Sequence, residues 1–101
     1  MMRNIVLLCN AGMSTSMLMN KMRGYAESAG YNCEINAYAL TEAPNVGPTA
    51  DVILLGPQVR YALNNVKKQL PKKHIEVIDM AAYGMLDGKK VIERVKTILG
   101  D

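Results

Sequence analysis

The chain has 101 residues, half of them hydrophobic, and a formal net charge of +3 at pH 7. This length and apolar content predict a single globular domain over residues 1–101 and exclude a disordered chain. No apolar run reaches the roughly 18 residues that span a bilayer, so we expect no direct membrane insertion. The apolar run before Cys9 is too short for a signal sequence, and bulky Leu8 does not suit cleavage, so we expect a cytoplasmic protein.

The positive charge includes three lysine pairs in the second half of the chain. They are Lys67-Lys68, Lys72-Lys73 and Lys89-Lys90. A solvated surface is the commoner reason for such pairs, and attraction to acidic partner proteins is the more economical functional one. No aromatic residues alternate with these charges, so we expect no nucleic-acid partner.

The N-terminal segment predicts a strand, a loop and a helix. Residues 5–8 are consecutive apolar residues and indicate a buried strand. Residues 9–16 are small or polar apart from Met13, and they begin with Cys9. Residues 17–23 have a helical composition, and we expect this first helix to run to about Ala29, before Gly30. Its predicted packing stripe is Leu18, Met22, Tyr25, Ala26 and Ala29.

Strands and helices alternate through the rest of the chain. The further predicted strands are residues 32–39, 52–55 and 74–78. We expect a short helix at most in residues 41–48, a helix from Pro57 to about Leu70, and a last amphipathic helix over residues 91–99. Gly84 and the Asp87-Gly88 pair predict a loop before that helix.

Four strand–helix units predict an α/β fold, a three-layer sandwich around a four-stranded parallel, doubly wound sheet. The simplest strand order is 2-1-3-4, which puts the two most apolar strands at the centre. Ligands of such sheets bind at the carboxyl ends of the strands, at the point where the strand order reverses. That point lies between strands one and three, where Cys9 and residues 56–58 should face each other.

The loop after Cys9 has the chemistry of an anion site. The N-terminus of a helix offers free N–H groups and the positive end of a dipole, which favour a bound anion and also a thiolate. The loop has no charged side chain, and Ser14 and Ser16 flank Thr15 with hydroxyl donors. A phosphocysteine intermediate is the functional interpretation. The alternative is a core cysteine followed by an ordinary strand–helix connection.

Other reactive residues give weaker signals. Cys33 begins the predicted second strand, at the opposite end of the sheet from Cys9, so both thiols should be free and Cys33 structural. His74 lies beside two lysines and should be a surface residue. We find no carboxylate cluster placed for a metal and expect no cofactor; Asp79, the nearest candidate, better suits a turn at a strand end.

The spacing at Cys9 is close to the Cys-(x)5-Arg-Ser/Thr signature of the low-molecular-weight tyrosine phosphatases, and the predicted fold is similar to theirs. Thr15 occupies the position of the arginine, which in such a signature grips two phosphoryl oxygens. The chain therefore departs from the phosphatase pattern at a residue that hydrolysis needs.

The whole chain more closely resembles enzyme IIB of the sugar phosphotransferase system, in its lactose/cellobiose (chitobiose-type) class. The matching segments include residues 8–16, 50–58 and 76–79, together with Tyr83-Gly84 and Asp87-Gly88. The resemblance implies that Cys9 is the catalytic residue. It implies a phosphate-binding loop made of Asn10, Ala11, Gly12, Met13, Ser14, Thr15 and Ser16.

The same resemblance implies two partners. Cys9 would accept a phosphoryl group from a phosphohistidine of the IIA protein. It would pass the group to a cellobiose-, chitobiose- or lactose-like diglycoside held by the membrane IIC component. Two other functions stay open: a phosphatase or arsenate-reductase-like enzyme using the same cysteine loop, and a non-catalytic binding domain in which Cys9 is simply buried.

Overall fold

The computed structural model describes residues 2–10 and 13–101; the side chains of Met13 and Ser14 are outside this description. Four strands in the described part of the chain form one parallel sheet. They are β1 (Arg3–Cys9), β2 (Cys33–Ala39), β3 (Val52–Leu55) and β4 (His74–Val77). The strand order is β2-β1-β3-β4, and every neighbouring pair is parallel. The predicted α/β sandwich and its strand order are therefore confirmed.

Helices cover both faces of the sheet. The α-helices are α1 (Met13–Ser28), α2 (Ala43–Val46), α3 (Leu63–Gln69), α4 (Met80–Gly84) and α5 (Gly88–Leu99). Short 3-10 helices occupy Leu40–Glu42, Gly47–Thr49 and Pro57–Ala62. Helices α1 and α5 share one buried cluster with the sheet, and α3 packs in a second cluster on the other face.

The central strand β1 supplies both clusters because its side chains point alternately to the two faces of the sheet. Ile5 and Leu7 lie in the cluster with α1 and α5, whereas Val6 and Leu8 lie in the cluster with α3. All four are at most 2% exposed. This double burial explains why β1 is a continuous apolar run, as is typical of a strand inside a parallel sheet.

The predicted boundary of the first helix is wrong. Helix α1 begins at Met13, so only three residues separate it from β1 and the Ser14–Ser16 hydroxyl residues belong to its first turn rather than to the loop. Serine and threonine compete with the backbone for hydrogen bonds, which made them resemble a loop, but they are well tolerated where helix N–H groups are free. At the other end of α1, Ala29 is exposed, so the predicted stripe stops at Ala26.

The segment after β4 also differs from the prediction. Residues 80–84 form α4, where the sequence predicts a loop. Asp79 makes this possible, because its side chain accepts a hydrogen bond from the Ala82 N–H and caps the helix. Asp79 therefore caps a helix directly after β4, where the sequence predicts a turn.

The predictions of two free thiols at opposite ends of the sheet and of an exposed His74 are confirmed. Cys9 and Cys33 are free thiols. Cys9 pairs with Ala39 and Cys33 with Arg3 in the ladder between β1 and β2, so the thiols lie at opposite ends of these strands. His74 is exposed.

Candidate active site at the carboxyl edge of the sheet

Cys9 is the last residue of β1, at the carboxyl edge of the sheet. It is 3% exposed. The neighbouring strand end lies beside it, since the Gly56 N–H donates a hydrogen bond to the Leu8 carbonyl at 3.0 Å. Cys9 and the segment after β3 thus come together where the strand order reverses, as the sequence predicts.

The residues after Cys9 lead directly into α1. Asn10 is exposed, and Ala11 and Gly12 lie outside the described residues. The backbones of Met13 and Ser14 begin the helix, followed by buried Thr15 and exposed Ser16. The first turn of α1 contains no acidic residue, so no carboxylate there competes with an anion for the free N–H groups.

Thr15 has a partner from a distant part of the chain. Its hydroxyl oxygen lies 2.9 Å from the Tyr83 hydroxyl oxygen of α4, although 68 positions separate the two residues. Gln58, in the segment after β3, donates a hydrogen bond from Nε2 to the same Tyr83 oxygen at 3.1 Å. The segments that follow β1, β3 and β4 are therefore joined by hydrogen bonds at the carboxyl edge.

Asp79 fixes the helix that presents Tyr83. The hydrogen bond from the Ala82 N–H lowers the pKa of the Asp79 carboxyl, and Lys90, whose Nζ lies 3.5 Å from the carboxylate, lowers it further. The carboxylate form is the one that caps α4, so the cap is present at neutral pH.

The sequence identified one side of this arrangement and missed the other. It placed residues 56–58 opposite Cys9 because of the strand order. It assigned no role to Gln58, and none to Tyr83, because α4 was predicted to be a loop and the partner of Gln58 was therefore not foreseen. The signal that could have revealed α4 is Asp79 followed by Met80, Ala81 and Ala82, a capping residue before helix-forming residues.

The described residues show neither a metal centre nor a membrane span. Within residues 2–10 and 13–101, no group of three or more histidine, cysteine, aspartate or glutamate side chains is placed to hold a metal ion. In the same part of the chain, no helix is long and apolar enough to cross a bilayer.

Comparison with known protein families identifies the family of this chain. Residues 4–94 match the model of the family described as "PTS system, Lactose/Cellobiose specific IIB subunit", where PTS is the phosphotransferase system. The chain belongs to this IIB family. It is thus a sugar-specific IIB component of the phosphotransferase system, and the resemblance in its sequence is confirmed.

Individual IIB proteins match over almost the whole chain. The oligo-beta-mannoside-specific EIIB component of Bacillus subtilis is 42% identical over 100 residues, which cover 97% of each protein. The cellobiose-specific EIIB component of Lactococcus lactis subsp. lactis is 37% identical over 102 residues, or 94% of each.

Solved structures of IIB components have the same fold. The solution structure of the cellobiose-specific IIB component from Borrelia burgdorferi has a TM-score of 0.83 and 37% identity, over 99% of this chain and 94% of that one. The lactose-specific IIB domain from Streptococcus pneumoniae has a TM-score of 0.82 at 20% identity, over 94% of this chain and 95% of that one, and shows the likeness of fold alone.

Proposed function

We propose that this IIB chain is a phosphoryl carrier in sugar uptake, with Cys9 as the residue that becomes phosphorylated. Cys9 accepts the group from a phosphohistidine of a IIA partner and transfers it to a sugar bound by the membrane IIC component. The observation that supports this most directly is the position of Cys9 at the end of β1, separated from the start of α1 by three residues, in a chain of the IIB family.

Each transfer exchanges one bond to phosphorus for another. In the first, the Cys9 thiolate supplies the electron pair of the new S–P bond while the N–P bond of phosphohistidine breaks and its pair returns to the imidazole. In the second, a sugar hydroxyl gives up its proton to solvent and forms an O–P bond, while the S–P bond breaks and its electron pair stays on sulfur as the regenerated thiolate. The enzyme class is a phosphotransferase with a phosphocysteine intermediate.

The loop and the first turn of α1 would hold the phosphoryl group through N–H and hydroxyl donors. The residues proposed for this are Asn10, Ala11, Gly12, Met13, Ser14, Thr15 and Ser16. Because these donors offset the negative charge, the transfer needs no metal or other cofactor. Because residues 10–16 contain no arginine, they hold the phosphoryl group without the guanidinium that speeds hydrolysis in phosphatases.

The surroundings of Cys9 suit a protein partner. Large apolar side chains remain exposed in each of the segments that follow β1, β3 and β4: Met17, Tyr61 and Met80 are 50%, 73% and 59% exposed. Such side chains gain free energy when a partner covers them. We therefore place the docking of phosphorylated IIA at this edge, in the cytoplasm.

The related proteins guide the proposed sugar class. They are named for oligo-beta-mannoside, cellobiose and galactose. A diglycoside similar to cellobiose, chitobiose or lactose is the substrate class that we propose, with its selection made mainly by the IIC component. A phosphatase or arsenate-reductase-like activity is disfavoured because Thr15 occupies the arginine position.

The test compares Cys9→Ser with Cys33→Ser. Incubation with a phosphorylated IIA protein of the lactose/cellobiose class should phosphorylate the wild type and Cys33→Ser but not Cys9→Ser, as followed by intact mass and phosphorus NMR. Circular dichroism should show all three chains folded. Phosphorylation of Cys9→Ser to the wild-type extent would refute the phosphocysteine proposal.

The same samples separate the alternatives. Rapid release of inorganic phosphate from an aryl phosphate would favour the phosphatase. A Cys9 thiol that is neither phosphorylated nor alkylated at neutral pH would favour the non-catalytic binding domain, an outcome relevant to a cysteine that is 3% exposed.

A further inference from the structure

We infer that Tyr83 is a positioning residue, which turns the Thr15 hydroxyl so that its hydrogen points to the phosphoryl group on Cys9. Gln58 in turn sets the direction of the Tyr83 hydroxyl. The inference rests on the proposed function, because it concerns how that site holds its phosphoryl group. It assigns roles to two residues outside the cysteine loop, on the segments that follow β3 and β4.

The first observation is the burial of Thr15. Among the residues that the structure describes, it is the one polar side chain that is buried, at 3% exposure. No buried side-chain nitrogen or oxygen in that part of the chain lacks a partner, and the partner of Thr15 is Tyr83. A buried hydroxyl with one fixed partner has a restricted orientation, unlike the exposed hydroxyl of Ser16 in the same turn.

The second observation is the direction of the hydrogen bonds. The side-chain nitrogen of Gln58 can only donate, so Tyr83 accepts from it. The Tyr83 hydroxyl still has its own hydrogen, which can be donated to Thr15. In that arrangement the Thr15 hydrogen is free to bond elsewhere.

Phosphorylation selects this arrangement. A phosphoryl oxygen at neutral pH can only accept hydrogen bonds, so Thr15 can bind it only by donating. Thr15 must then accept from Tyr83, and Tyr83 from Gln58. The result is one line of donors that runs from Gln58 through Tyr83 and Thr15 to the anion, and each bond in it strengthens the next.

The surrounding structure holds Gln58 and Tyr83, the two members of this line that are farthest from the anion. Tyr83 lies on α4, which Asp79 caps. Gln58 packs closely over Gly56, where an added Cβ would lie 2.7 Å from the Gln58 Oε1. The backbone N–H of Gly56 is itself bonded to Leu8, the residue before Cys9. The amide that orients Tyr83 is therefore placed by the same strand ends that place the cysteine.

The main test is Tyr83→Phe, with Tyr25→Phe as the matched control. Both substitutions remove one tyrosine hydroxyl that bonds a side chain, since the Tyr25 hydroxyl donates to Glu93 at 2.7 Å. Tyr25 lies on the α1 face that contacts α5, away from the first turn. The measured quantity is the equilibrium constant for phosphorylation of Cys9 by a phosphorylated IIA protein of this class, together with the phosphorus chemical shift of the phosphocysteine.

We expect Tyr83→Phe to lower that equilibrium constant by about tenfold, which is near the upper end of what one hydrogen bond between uncharged groups contributes. Its phosphorus signal should also move. Tyr25→Phe should leave both at wild-type values. If Tyr83 had only a structural role, the two variants would not differ in this way.

Substitutions at Gln58 test the direction of the line without touching Thr15. In Gln58→Glu the carboxylate can only accept, so it takes the Tyr83 hydrogen and forces Thr15 to donate to Tyr83. We expect Gln58→Glu to lower the equilibrium constant for phosphorylation of Cys9 at least as much as Tyr83→Phe does. Gln58→Met removes the amide but leaves the Tyr83 hydrogen available to Thr15, so it should lower this equilibrium constant less than Gln58→Glu does. This pair also keeps the inference testable should Tyr83→Phe fail to fold.

The outcomes distinguish this inference from the proposed function. A wild-type chain that is not phosphorylated on Cys9 would overturn the proposed function itself. A phosphorylated wild type together with Tyr83→Phe and Gln58→Glu variants of unchanged equilibrium constant and phosphorus shift would overturn the role of Tyr83 and leave the carrier function standing.

Discussion

Thr15 shows how one residue can have different meanings in sequence and in structure. Its position, six residues after Cys9, is that of an arginine in the phosphatase signature. In the structure it is a buried side chain that contacts Tyr83. An arginine at this position would have to displace Tyr83 or turn outward, since a guanidinium is far larger than a threonine side chain. The packing of Thr15 against Tyr83 thus suits a threonine and leaves no room for the arginine of the signature.

At Cys33, burial raises the pKa of the thiol. We expect iodoacetamide to modify this residue slowly near neutral pH, because only the thiolate reacts. The rate should be measured against pH in Cys9→Ser, where Cys33 is the remaining thiol. Its midpoint should lie above that of the same variant unfolded in denaturant. Identical midpoints in the folded and unfolded chains would contradict the burial effect.

At the scale of elements, the strands could be predicted closely and the helix starts could not. Residues 52–55 form a continuous apolar run, and such a run suits few structures other than a buried parallel strand. The start of α1 depends instead on serine and threonine residues, which favour loops and first turns equally. Helix α4 is only five residues long and depends on its cap and on contacts with the rest of the fold.

The candidate site, too, could be predicted only in part from the sequence. Cys9 could be identified from the chain alone because strand, loop and helix are consecutive there. The contact between Thr15 and Tyr83 joins residues 68 positions apart, and it exists only because α4 is docked near the start of α1. Local sequence patterns contain no information on such a contact.

The packing of α5 against α1 depends on Gly88. A Cβ added to Gly88 would lie 2.5 Å from the Met22 backbone nitrogen and 2.6 Å from the Lys21 carbonyl oxygen. Backbone atoms cannot move aside cheaply, so Gly88→Ala should lower the unfolding free energy by about 1–3 kcal/mol or more. Urea unfolding followed by circular dichroism measures this.

Gly24→Ala is the matched control for Gly88→Ala. Gly24 is exposed within α1, and a Cβ there would meet nothing within 4 Å. Alanine is the better helix former, so this variant should be more stable than the wild type by about 0.5–1 kcal/mol. A Gly88→Ala chain as stable as Gly24→Ala would show that the two helices can separate without cost.

At the scale of the whole molecule, side chains near the two ends of the described chain hold each other. The Arg3 guanidinium donates two hydrogen bonds to the Asp101 carboxylate, at 2.9 and 2.8 Å. Tyr31 donates a third at 2.6 Å. The central strand, the turn before β2 and the second residue after α5 are thereby fixed together, at the edge of the sheet opposite to Cys9.

This arrangement makes stability depend on pH in the acid range. The hydrogen bonds from Arg3 and then from Tyr31 lower the pKa of Asp101 from 3.8 to about 2. A carboxyl group whose pKa is depressed by folding stabilises the fold above its unfolded pKa. That contribution is lost as the pH falls from near 3.8 toward about 2, because the unfolded chain takes up the proton first.

Asp101→Asn should therefore change how steeply the unfolding free energy depends on pH, in addition to lowering it near neutral pH. Near neutral pH the variant should be less stable than the wild type, because the charged pair with Arg3 is gone. As the pH falls from 3.8 to about 2, its unfolding free energy should decline less steeply, since it has no proton to take up at this position. Thermal midpoints between neutral pH and pH 2 measure both effects, with Glu27→Gln on the exposed surface of α1 as the control. Parallel curves for Asp101→Asn and the wild type would mean that the contact between Arg3 and Asp101 does not form in solution.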